Sequence, residues 1–144
     1  MTKDLNGKTV IVTGAGKGIG RATCLMLSGL GANVVAISRT TSDLESLKSE
    51  TGCETHIFDI ANSAELRNVV REVTSADGLV NCAGINILEP FLEVTEEAFD
   101  QIYAINTKAA MVAAQEFSKT LIAANRGGAI VNVSSMSSFV GFAD

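Results

Sequence analysis

Five short apolar runs recur along the chain: "TVIVT" (9–13), "NVVAIS" (33–38), "ETHIFD" (54–59), "GLVN" (78–81) and "AIVNVS" (129–134). Each is four to six residues long, rich in Val and Ile and almost continuously hydrophobic, which is how strands buried on both faces read. The segments between them have helical period. "SDLESLK" places Ser42 three residues before Glu45, a capping-box spacing, and Leu66, Val69, Val70 and Val73 recur at helical intervals. Thr95 is positioned to cap a long helix that starts "EEAF", carries Phe99, Ile102, Tyr103, Ala110, Ala113, Phe117 and Leu121, and ends at Asn125-Arg126-Gly127-Gly128. Strand and helix therefore alternate from end to end. That order predicts an α/β fold, a doubly wound parallel sheet with right-handed crossovers and helices on both faces.

Composition narrows what such a sheet could serve. The 144 residues, 47% apolar and 19% charged, suit one packed domain spanning 1–144. A net charge of −5, with eleven Lys and Arg scattered along the chain, leaves no basic stripe, and nucleic acid is not an expected partner. "MTKDLNGK" has no apolar leader core and no stretch approaches the ~20 apolar residues of a membrane helix, so a soluble, cytoplasmic protein without a membrane partner is expected. Cys24, Cys53 and Cys82 are widely spaced and only His56 could assist them. They predict buried reduced thiols and no metal site.

The first run leads into "TGAGKGIGR" (13–21). G-x-G-x-x-G fails because Ile19 stands where the last glycine is needed, and no Gly-Lys followed by Ser or Thr makes a P-loop. Gly14, Gly18 and Gly20 instead give G-x-x-x-G-x-G after a strand and at the opening of a helix. Missing Cβ atoms there let backbone N–H groups approach a diphosphate at the positive helix end. Where NAD-binding folds usually carry Asp or Glu at the end of the second strand, this chain reads "SRT". Arg39 and Lys17 supply two cations suited to a 2′-phosphate, and so favour NADP over NAD.

In order and spacing, "TGAGKGIG", Asp59 after the third run, "NCAG" (81–84), Asn106 within "INTKAA" and "IVNVSS" (130–135) resemble the short-chain dehydrogenases/reductases. Within that family, "VTGAGKGIGR", "SRT", "DLESL" and "EPFLEVTEEAFD" are similar to a tetrameric carbonyl reductase of sugars and α-dicarbonyls that prefers NADPH. The resemblance implies a Rossmann-type sheet of which these residues supply the amino-terminal part, five strands of an expected seven. It assigns Gly14, Gly16, Lys17, Gly18, Ile19 and Gly20 to the diphosphate and 2′-phosphate, and Ser38, Arg39 and Thr40 to the adenosine phosphate. Asp59 and Ile60 fall to the adenine, and Asn81, Ala83 and Gly84 to the ribose. Asp59 reads equally well as a helix N-cap, and Cys82 stands where the family usually has a second asparagine.

The resemblance gives Ser135 the substrate carbonyl oxygen and Asn106 a water in a proton relay, leaving Ser134 to the strand. The relay serves a tyrosine and a lysine one helical turn apart, placed beyond Asp144 in the family's spacing. Tyr103, three residues before Asn106, is the one tyrosine here and cannot replace it. The expectation is thus the amino-terminal portion of a longer NADP(H)-dependent reductase, inactive alone, with a small-molecule carbonyl substrate and a homo-oligomeric, tetrameric assembly. The alternatives are a dinucleotide-binding module without turnover and a hydroxysteroid-type dehydrogenase.

Overall fold

The computed structural model describes residues 4–139; the last residues, expected to end in mid-loop, lie outside them. The strands are β1 (Thr9–Thr13), β2 (Asn33–Ser38), β3 (Glu54–Ile57), β4 (Ala76–Asn81) and β5 (Ala129–Asn132). Helices α1 (Gly18–Gly29), α2 (Thr41–Thr51) and α3 (Ser63–Glu72) alternate with the first four. Then α4 (Glu96–Tyr103) passes through a π-turn (Ala104–Lys108) into α5 (Ala109–Ala123). The five strands form one parallel sheet in the order β3-β2-β1-β4-β5. Ile11 lies opposite Val35 on one side and Leu79 on the other, and Leu79 opposite Ile130. Because the chain winds outward from β1 to β3 and then returns to β4, the strand order reverses between β1 and β4. Open α/β sheets bind ligands at such a point.

Side-chain alternation splits the core in two. Val10 and Val12 join Val34, Ala36, Leu44, Leu47 and Val80 beneath α1 and α2. Ile11 joins Val35, Ile37, Leu79, Leu66, Val112 and Phe117 against α3 and α5. The two-sided burial expected of the apolar runs holds for β1. It fails for β5, where Ile130 and Val131 are 39% and 54% exposed, because β5 is an edge of the described sheet. Strands three and five are also shorter than their apolar runs; Ser134 lies beyond β5 and does not belong to the strand.

Helix starts follow local hydrogen bonding more closely than the sequence spacing suggested. The Thr95 hydroxyl accepts from the Ala98 N–H at 3.1 Å, as expected of the cap. For α2 the boundary residue is Thr40, so Ser42 lies within the helix and its capping box with Glu45 does not form. Asp59 is likewise not a helix cap. It accepts from the Ala61 N–H at 2.9 Å, while Asn62 caps α3 by accepting from Glu65 N. Phe99 and Tyr103, at helical spacing with the core residues of α5, stack on each other in solvent instead.

One irregularity locks the bottom of the sheet. The β1/β4 register shifts between Thr9 and Val10, so Asp77 is skipped. Its carboxylate supplies the missing acceptor, taking the Thr9 N–H at 3.0 Å and also Lys8 and Arg126. The Thr9 N–H, followed by the two cations, holds the Asp77 carboxyl below its ordinary pKa.

Candidate functional site

Glycines and a threonine open the site at the carboxyl ends of β1 and β4. Gly14 follows β1 at φ +68°, and a Cβ there would stand 2.7 Å from the Ala83 Cα, so only glycine lets the two strand ends approach. A Cβ on Gly20 would collide with the Gly14 carbonyl, which lets the first turn of α1 pack directly on the loop. Thr13 ties the ends together: its buried Oγ1 accepts from the N–H groups of Cys82 and Ala83 at 3.1 and 3.2 Å. The hydroxyl in turn donates to the Val80 carbonyl. The composition of the glycine loop did not single out Thr13. A hydroxyl residue at the last position of a strand bordering the reversal was the available signal.

A cavity of about 410 Å³ lies above these ends. Gly14, Lys17, Ile19 and Gly20 form one wall, Ser38, Arg39 and Thr40 a second, Asp59 and Ile60 a third, and Ala83 and Gly84 a fourth. Gly16 backs the second wall; a Cβ on it would stand 2.8 Å from Ser38 Oγ and 3.1 Å from the Asp43 Cβ. Gly18, at φ +53°, turns the chain into α1. Lys17 stands at the N-cap position of α1, which has no side-chain cap and no acid in its first turn. Its first N–H groups are thus left for an anion.

The walls also include Ile37, Asp43, Phe58, Ile85, Ile105 and Val133, which sequence reasoning passed over, and Cys82, expected to be a buried thiol and found half-buried. Asp43 corrects the expectation that this end of the site holds two cations and no carboxylate. It comes from the first turn of α2 and pairs with Lys17 at 3.5 Å. Arg39 is exposed and makes no ion pair among the described residues. Burial raises the thiol pKa of Cys82, and pushes that of Cys24 up to about 12, so both stay protonated at neutral pH. All three cysteines are free, and no metal-holding group of His, Cys, Asp and Glu exists among the described residues.

Besides Gly16 and Gly18, three expected site residues lie outside the cavity walls: Asn81, Asn106 and Ser135. Asn81 is buried, and its Nδ2 donates to Asn132 Oδ1 at 2.9 Å and to the Ala110 carbonyl at 3.3 Å. The first residue of "NCAG" thus ties β4 to β5 and to α5. Asn106 sits in the π-turn, where Oδ1 accepts from Ile85 N at 2.8 Å and Nδ2 donates to Ile85 O at 2.9 Å. Through these two bonds the side chain clamps the loop after β4, and each end of the amide keeps a second hydrogen-bonding position. Ser135 caps the short 3₁₀ turn Met136–Ser138, accepting from Ser137 N and donating to Ser137 Oγ. Tyr103 is on the outer face of α4 and is not a wall residue.

The chain is similar to known proteins in sequence and in fold. The family model described as short chain dehydrogenase matches residues 8–144. The chain is 48% identical to L-xylulose reductase of Mesocricetus auratus, over 96% of this chain and 57% of that protein. It is 47% identical to L-xylulose reductase of Homo sapiens, over 93% and 55%. The chain thus spans about half the length of these relatives. Among solved structures, a metagenomic short-chain oxidoreductase in complex with NADP superposes with a TM-score of 0.89 at 31% identity, covering 98% of this chain and 68% of that one.

Proposed function

The chain belongs to the short-chain dehydrogenase family, and on that premise we propose that it is the dinucleotide-binding part of an NADPH-dependent carbonyl reductase. The observation that carries this reading is the cavity at the strand-order reversal, where an uncapped α1 N-terminus, Lys17 and Arg39 converge. The α1 amides would take the diphosphate, Lys17, Ser38, Arg39 and Thr40 the 2′-phosphate, and Asp59 with Ile60 the adenine. Bound NADPH would supply a hydride to the carbonyl carbon of a sugar ketone or α-dicarbonyl. Ser135 would turn its hydroxyl from Ser137 Oγ to the carbonyl oxygen as charge develops there. Asn106, which holds the loop through Ile85 at the cavity wall, would hold a water of the proton relay.

The general acid is proposed to be the tyrosine–lysine pair implied by the resemblance. These 144 residues alone should therefore reduce carbonyls negligibly, since such acid help is worth about 10² to 10⁴ in rate. The full protein is proposed to assemble as a homotetramer. No helix among the described residues is long and apolar enough to cross a membrane; with three unpaired thiols, a cytoplasmic setting is proposed.

Fluorescence titration with NADPH and NADH tests the cofactor reading. NADPH should bind more tightly, and Arg39→Asp should reverse that order by weakening NADPH roughly tenfold or more, the worth of a charge-assisted hydrogen bond plus new repulsion. An Arg39→Asp protein that still prefers NADPH to the same degree overturns the assignment.

A further inference from the structure

Of the cavity's two carboxylates, Asp59 and Asp43, the second stands beside the expected phosphate site. Asp43 projects from the first turn of α2, its side chain 20% exposed, and meets the ammonium of Lys17, which is 78% exposed and otherwise free to reach into the cavity. Ser38 Oγ and the Asp43 side chain converge on the same face of Gly16. A carboxylate thus stands between the two elements that the 2′-phosphate must bridge, the glycine loop and the end of β2.

We propose that Asp43 is a specificity-determining residue that narrows the preference for a 2′-phosphorylated dinucleotide; this rests on the NADPH reading above. Its carboxylate neutralises Lys17 before any ligand arrives. An incoming 2′-phosphate, with nearly two negative charges, has to take Lys17 from Asp43 and then sit near a like charge. A ribose bearing a free 2′-hydroxyl meets the opposite situation, since a carboxylate accepts a hydrogen bond from it. One side chain therefore opposes the phosphorylated cofactor and supports the unphosphorylated one. Arg39, without an ion-pair partner among the described residues, leaves the balance in favour of the phosphate.

Adenosine 2′,5′-bisphosphate and AMP isolate this end of the site, and calorimetric titration of the chain with each reads it directly. Asp43→Asn should tighten the bisphosphate by roughly three- to tenfold, the scale of a partly exposed ion pair, and leave AMP unchanged or weaker. The gain should shrink in a Lys17→Ala background. Asp43→Glu, which keeps the charge, should preserve the wild-type ratio. A wild-type chain that prefers the bisphosphate while Asp43→Asn alters both ligands equally, or neither, overturns the role of Asp43 and leaves the NADPH reading intact; equal change with a lowered melting temperature marks Asp43 as a helix-start residue only. A wild-type chain that does not distinguish the two ligands overturns the NADPH reading and the role of Asp43 with it.

Discussion

Thr13 shows how much a single side chain can organise at this site. Its hydroxyl receives two backbone N–H groups and returns a bond to the Val80 carbonyl, and it is almost wholly buried between β1 and β4. Thr13→Val keeps the shape and strands both donors; it should cost about 1 to 3 kcal/mol in urea unfolding, and Thr13→Ser should recover most of it. The residues named from the glycine loop and from "SRT" line the cavity or back it because they follow strands directly, where chain connectivity leaves little freedom. Asp43 was not legible in the same way. It reaches the glycine loop only through the packing of α2 beside α1, a contact between residues far apart in sequence.

At the scale of elements, the interrupted helix is the piece whose purpose sequence periodicity hid. Apolar spacing predicts one long helix from Thr95 onward, and the helix is there, but a π-turn at Ala104–Lys108 carries Asn106 within reach of Ile85. A π-turn inserts one residue into the helical count, and frequently marks a functional position. Asn106→Ala should release the loop after β4 without unfolding the sheet. Hydrogen exchange would show the Ile85 amide losing roughly tenfold protection, the equivalent of about 1.4 kcal/mol, with the β1 amides unchanged. Asn106→Asp should be intermediate, since it still accepts from the Ile85 N–H but cannot donate to its carbonyl.

For the molecule as a whole, ion pairs join the helices on both faces of the sheet. Arg21 of α1 pairs with Glu50 of α2, and α3 and α5 are joined by Glu116, a buried carboxylate bound to Lys119 at 2.9 Å, Arg67 at 2.6 Å and Arg71 at 3.5 Å. The bonds from Lys119 and Arg67 lower the Glu116 pKa to about 2 from an ordinary 4.5. Because the folded value is depressed, this contribution is complete above the unfolded value near 4.5 and is lost as pH falls from there toward 2. Urea midpoints of wild type and Glu116→Gln should therefore differ at neutral pH and converge across that acidic window; a gap independent of pH would remove Glu116 from the account.

By itself the sequence determined the alternation of strand and helix, the parallel sheet, the glycine loop at its first turn and the two cations beside it. All of these follow from local propensity, hydrophobic period and residues adjacent in the chain. Only the tertiary structure decided that Asp43 pairs with Lys17, that Thr13 and Asn106 hold the loop after β4, and that Asp77 repairs a shifted register at the sheet's opposite end. Those contacts join residues far apart in the chain. Their partners are chosen by how helices and strands pack, which no local pattern encodes.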